Sequence, residues 1–499
     1  MTNAPYGELE RHFARLSQVW DVIAMLHWDM AAMMPQGGAE ARGEQLATLK
    51  VLAHEILTAA AMADLLAAAE GQMVDLDDWQ RANLREMRRI WTHATAVTPE
   101  LVAALSKASA ACEMQWRRAK DESDFAAVLG PAKAVLELVR EAAQAKGEAL
   151  GCAPYDALLD EHEPGARAAE IDPVFNDLAE FLPGFLGEVL DHQASLPAPV
   201  PLEGPFDEDA QRRLCVELMK VVGFDFDHGR LDISHHPFCG GVAEDVRITT
   251  RYTTDDFMPA VMGVLHETGH ALYEQGLPKT WRHQPVGQAR GMALHESQSL
   301  LVEMQACRSR EFITFMAPLL RRAFGGGGEA WEAENLYRLY TRVEPGMIRV
   351  DADEVTYPCH VIMRYRLEQA IIAGDLAFED LPGAWNDALE GFLGLRPAND
   401  GEGCLQDIHW YDGAWGYFPT YSLGAMAAAQ LFDAARRADA DTMARLGKGD
   451  FTTVIAWLRD NVHAQGSRPT TLELLLAATG KPLDPGLYRK HLRDRYLGS

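Results

Sequence analysis

Through the first two hundred residues, apolar side chains return at three- and four-residue intervals, the period of an amphipathic helix. Glu8–Leu26 (ELERHFARLSQVWDVIAML) and Pro131–Leu150 (PAKAVLELVREAAQAKGEAL) show it plainly, and both are rich in residues that lose little side-chain freedom in a helix. Thr98, Pro99 and Glu100 read as a helix start, with a capping hydroxyl, then a proline whose missing N–H costs nothing there. A chain of this kind is expected to be mainly α. Only the proline-rich Ser195–Pro205 stretch breaks the pattern, and composition is the same on either side, so it reads as a loop within one helical body.

The character changes between Arg230 and Tyr252. Val246, Ile248, Thr250 and Tyr252 alternate with Arg247, Thr249 and Arg251 after a glycine-containing connection, which predicts a short antiparallel hairpin. Helical periodicity resumes at Asp255, broken by a Gly325–Gly328 loop and a Gly/Trp/Tyr-rich stretch around residues 401–424. No repeat of solenoid length stands out.

Composition narrows the function. Of 499 residues, 48% are hydrophobic and 24% charged, as in a globular protein able to bury a sizeable core. No apolar run approaches the roughly 18 residues of a membrane span, and the polar opening segment does not resemble an export signal. The expected location is the cytoplasm. A net charge of −27, with no strong basic patch, repels nucleic acid and anionic lipid. The seven cysteines are widely spaced without CxxC pairs and read as reduced thiols, mostly buried.

Chemistry concentrates in VLHETGHALYEQG, where His266, Glu267 and His270 form H-E-x-x-H. On a helix, positions i and i+4 lie about 40° apart, so both imidazoles reach one Zn²⁺, while Glu267 flanks that face free to accept a proton. Thr254 is expected to cap this helix, Asp255 and Asp256 to follow in its first turn, and Gly276 with Pro278 to end it. Phe257, Val261, Val264, Leu265, Thr268, Ala271 and Leu272 form the opposite, core-facing stripe. Tyr273 and Gly276 stand where an extended H-x-x-G-x-x-H would need Gly and His, which excludes that subclass. The third ligand is then expected on the following helix, in GMALHESQSLLVEMQACRSREF, which supplies His295, Glu296 and Glu303. Glu296 is the expected ligand; Glu303, one helical repeat on, reads as a supporting acid.

The order of motifs along the chain resembles the carboxypeptidase Taq family of metallocarboxypeptidases. The likeness rests on His236-Pro237-Phe238, Asp245-Val246-Arg247-Ile248-Thr249, the H-E-x-x-H, His295-Glu296-Ser297-Gln298, Ile348-Arg349-Val350-Asp351-Ala352-Asp353 and Gly403-Cys404-Leu405-Gln406-Asp407-Ile408-His409-Trp410. The Leu26–Leu49 segment also looks like the family's start, so the resemblance spans nearly the whole of residues 1–499. It implies one metallopeptidase domain, mostly helical with a small β-sheet, whose two lobes flank a deep groove. It also implies a homodimer, one metal ion per chain, and peptides with a free C-terminus as substrates, trimmed with broad specificity. Zinc is the expected ion and cobalt the alternative. By match, His266, His270 and Glu296 are ligands and Glu267 the general base.

An oxyanion donor and a carboxylate anchor remain to be found. His409 and the tyrosines of GYFPTYSLG, Tyr417 and Tyr421, are candidates for the first, with Tyr421 preferred. Arg247 and Arg349 are candidates for the second, because arginine matches a carboxylate with two parallel hydrogen bonds; ion pairs to Asp245, Asp351 or Asp353 are the competing explanation. His235, His236 and His360 read as structural. Two rival functions are a zinc endo-oligopeptidase with the same ligands and a helical scaffold with a purely structural metal. The second has no use for Glu267.

Overall fold

The computed structural model describes residues 4–498, and helices dominate it. They gather into two compact units, each assembled from three separate stretches of chain: residues 4–91, 198–341 and 427–483 in the first, and 92–197, 342–426 and 484–498 in the second. Local signals act as expected at several helix ends. The Pro99–Glu122 helix is capped by Thr98, whose side chain accepts from the Leu101 amide. Ser195 ends one helix and the next begins at Glu208, so the proline-rich stretch is a loop. Among the described residues no single helix is long and apolar enough to cross a membrane, and all seven cysteines are unbridged.

The first unit contains the sheet, and here the expectation of a purely antiparallel hairpin is corrected. Three strands, β1 (Gly229–Ile233), β2 (Phe238–Val242) and β3 (Asp245–Thr250), lie in the order β1-β3-β2. The β2–β3 pair is the antiparallel hairpin, but β1 joins β3 in parallel, with Gly229 opposite Val246 and Ile233 opposite Thr250. Alternation marks a strand without naming its partner. The pairing depends on Gly229: a Cβ there would sit 2.4 Å from the Val246 carbonyl oxygen.

The helix carrying H-E-x-x-H, Met258–Gly276, packs on β3 and on the Met292–Leu300 helix. It starts later than the sequence suggests. Phe257 is the cap position and Pro259 falls in the first turn, while Thr253 and Asp256 close a turn before it. Proline's fixed φ favours that position over the acidic pair. All seven residues of the expected core stripe, Phe257 to Leu272, are at most 1% exposed, which turns the opposite face toward the histidines.

Candidate active site and metal centre

His266 and His270 stand one turn apart, ring centroids 5.0 Å from each other. Their Nε2 atoms point to one carboxylate oxygen, Oε2 of Glu296, at 3.6 Å and 3.3 Å. Tetrahedral bonds of 2.0–2.1 Å place neighbouring donors about 3.3–3.4 Å apart, so this spacing suits a zinc-sized ion. These three are the only group of His, Cys, Asp and Glu among the described residues with ligand atoms this mutually close, all within 4.8 Å. Their approach requires Gly269, between the two histidines. A Cβ there would lie 2.4 Å from the Gln298 carbonyl oxygen and 2.6 Å from the Ser299 Cα, so glycine lets the two helices touch backbone to backbone. Ser299 donates to Glu296 Oε2 at 3.1 Å and steadies it.

Behind His266, its Nδ1 meets Glu303 Oε2 at 2.9 Å, and the other Glu303 oxygen accepts from Arg308 at 2.6 Å. Glu303 lies on a π-helical turn, Leu301–Cys307, that continues the Met292–Leu300 helix. Such turns are rare and recur at functional sites. The acid read from a regular helical repeat therefore does face the zinc-motif helix, but from wider winding.

The charge balance asks for a cation. Burial opposes charge on His266, yet Glu296, Glu303 and Glu267 together outweigh it and raise the ring to about 10. Burial pushes His270 down to about 4. Burial also opposes ionised Glu296, but His266 and His270 hold it at about 2. A proton on His266 thus stands where a divalent ion would satisfy the same field. Glu267 is 8% exposed and outside the converging trio, and burial lifts it to about 7.

Arg247 lies on β3. Its guanidinium is closed on Asp245 by two bonds of 2.9 and 2.6 Å and stacks over Trp28 at 4.2 Å. The expected competing ion pair is therefore the one formed. Arg349, in the second unit, pairs with neither Asp351 nor Asp353. Its Nε and Nη2 reach Asp407 Oδ1 at 3.0 and 2.7 Å, and Nη1 reaches the Tyr357 hydroxyl at 2.9 Å. Arg364 holds the other Asp407 oxygen at 2.7 Å. Two guanidiniums thus share one carboxylate. Tyr421 packs under Arg349, with 5.1 Å from the guanidinium carbon to the ring centre, and its hydroxyl lies 3.5 Å from His409 Nε2. Burial pushes His409 down to about 4, so its ring is neutral near pH 7. Tyr417 packs edge-on against Tyr421, centroids 5.2 Å apart. His360 is fully buried and bonded to the Gly346 carbonyl, a structural setting.

The model of the carboxypeptidase Taq (M32) metallopeptidase family matches residues 8–496. The chain belongs to that family. Thermostable carboxypeptidase 1 of Thermus thermophilus is 38% identical over 499 residues, covering 98% of this chain and 97% of its own. Carboxypeptidase 1 of Bacillus subtilis is 32% identical over 487 residues, covering 97% and 96%. Among solved structures, Trypanosoma cruzi metallocarboxypeptidase 1 superposes with a TM-score of 0.97 at 42% identity, covering 99% of this chain and 100% of that one. An M32 carboxypeptidase from Deinococcus radiodurans R1 gives 0.92 at 35%, covering 99% of both. The protein is thus a metallocarboxypeptidase, a peptide hydrolase that depends on a divalent metal ion.

Sequence reasoning about this M32 carboxypeptidase passed over Arg308, Arg364, Tyr357 and Glu274 as site residues, and named Asp407 only as part of a motif. Asp407 carried the one usable signal, an acid two positions before His409 in a motif that also holds Gln406. Arg308 and Arg364 act through partners that no spacing rule connects.

Proposed function

We propose that this M32 carboxypeptidase removes C-terminal residues from peptides with broad specificity, using a zinc ion held by His266, His270 and Glu296, with Glu267 as general base. The observation that carries this reading is the convergence of two Nε2 atoms and one carboxylate oxygen at metal-ligand spacing, with a separate buried acid beside them. Zinc suits the two-imidazole, one-carboxylate donor set, with cobalt as the alternative. Bound there, a divalent ion supplies Lewis acidity, acidifying water and polarising the scissile carbonyl.

The chain's own groups do the rest. The Glu267 carboxylate takes a proton from the attacking water and returns it to the leaving amine. The N–H of neutral His409 and the Tyr421 hydroxyl are proposed to donate to the developing oxyanion. Arg349 is proposed to hold the substrate's terminal carboxylate, because Arg349 and Arg364 against Asp407 leave one positive charge unmatched. Arg247, whose Nε and Nη2 are held by Asp245, is proposed as the alternative anchor for the same carboxylate. We also propose a homodimer, to be checked by light scattering.

The deciding experiment pairs a short peptide having a free C-terminus with its amidated twin, before and after chelation. Stepwise release from the free peptide alone, abolished by chelator and restored by Zn²⁺, is the expected result. Equal cleavage of both peptides overturns the exopeptidase reading in favour of an endo-oligopeptidase.

A further inference from the structure

His270 turns its Nδ1 away from Glu296 and toward a second imidazole. That nitrogen lies 2.6 Å from His295 Nδ1, and His295 Nε2 lies 2.8 Å from Glu274 Oε1. Helix spacing places the acid: Glu274 is one turn beyond His270 on the same helix, and His295 precedes Glu296 on the next. The two rings and the acid therefore form one line, Glu274, His295, His270, ending at the His270 Nε2 that faces Glu296.

Donor and acceptor rules order the protons along this line. An ionised carboxylate only accepts, so the Nε2 of His295 must carry the hydrogen it gives to Glu274. A neutral His295 then offers a lone pair at Nδ1. His270 must answer with a hydrogen on its own Nδ1, which leaves its Nε2 bare. The opposite arrangement would put a hydrogen on the nitrogen that faces Glu296 and block it as a ligand.

We propose that Glu274 and His295 are positioning residues that fix the tautomer and ring orientation of His270 for metal binding. This inference rests on the His266, His270 and Glu296 metal centre proposed above. The two ligand histidines are thus oriented differently: His266 directly by a carboxylate, His270 through an intervening imidazole. The outer end of the line is open, since Glu274 and His295 help line a cavity of about 440 Å³ with Cys239, Arg282 and His283. The Glu274 side chain is 25% exposed, so replacing it leaves the core intact.

The test is Zn²⁺ affinity of the full-length protein, measured by competition with a chromophoric chelator, alongside the melting temperature of the metal-stripped form. His295→Phe and Glu274→Ala are expected to bind Zn²⁺ about 10–100-fold more weakly. Glu274→Gln, which keeps an accepting oxygen, should lose less. The metal-free melting temperatures of both Glu274 variants should match wild type. Wild-type Zn²⁺ affinity in Glu274→Ala overturns the proposal, and that variant decides the matter even if His295→Phe fails to fold. If the wild-type protein binds no Zn²⁺, or His266→Ala binds it equally well, the metal centre itself is wrong and the relay falls with it.

Discussion

Glu303 grips the Nδ1 of His266 with one carboxylate oxygen while Arg308 holds the other. The acid is buried at 7% exposure, and although burial opposes its charge, Arg308 and His266 keep its affinity for protons below the usual carboxylate range. Removing it frees His266 to rotate and takes from Arg308 its carboxylate partner, leaving the bond to the Tyr340 carbonyl. Glu303→Ala should therefore weaken Zn²⁺ binding about 10–100-fold, read by chelator competition. Glu303→Gln, which can still accept one bond, should fall between.

Glu267 makes the opposite prediction. It stands outside the ligand trio, so Glu267→Gln should retain full metal content by elemental analysis while turnover drops ~10²–10⁴-fold. Loss of metal in that variant would assign Glu267 a binding role instead.

Gly269 tests how tightly the ligand helices must meet. An added methyl would press on the Gln298 and Ser299 backbone, which cannot step aside as a side chain can. Overpacking of this kind costs about 1–3 kcal/mol. Gly269→Ala should lower the melting temperature and, by moving Glu296 relative to the histidines, weaken Zn²⁺ binding as well. A variant with normal stability and affinity would show that the helices have slack.

Arg349 should govern recognition of the free carboxylate. In Arg349→Lys the planar fork is lost, while Asp407 keeps Arg364. A lost charge-assisted bond of about 1.5–3 kcal/mol corresponds to KM rising about 10–150-fold for the free peptide, narrowing its advantage over the amidated one. Unchanged KM would remove Arg349 from substrate binding.

Acid should destabilise the protein through Glu354. This carboxylate accepts from His491 at 2.7 Å, Arg495 at 2.9 Å and Tyr496 at 3.0 Å. Burial opposes its charge, but Arg495 and His491 win and hold it well below its ordinary 4.5. A depressed folded value stabilises the fold fully above the unfolded one and loses that contribution as pH falls. Urea midpoints should accordingly drop as pH descends below about 4.5. Glu354→Gln should be less stable at pH 7 yet show a shallower acid decline.

The helical class and the convergence of His266, His270 and Glu296 were legible because their signals are local. His266 and His270 are four residues apart, Glu296 sits on the next long helix, and the Phe257–Leu272 stripe needs only the 3.6-residue period. What stayed hidden is set by distant contacts. β1 pairs parallel to β3 through a backbone approach at Gly229, which alternation cannot reveal. Arg349 bypasses two nearby acids for Asp407, 58 positions away, where Arg364 also reaches the same carboxylate. The π turn under Glu303 likewise has no sequence period of its own.

The discontinuous make-up of the first unit bears on its synthesis. His463, from that unit's last stretch, bonds Gln298 at 3.0 Å and crowds Gly276 at the end of the zinc-motif helix. Chain leaving the ribosome thus carries both imidazoles and Glu296 long before the buttress beneath them exists. Domains generally fold as units during translation, and this unit has its third stretch only once residues 427–483 have been made.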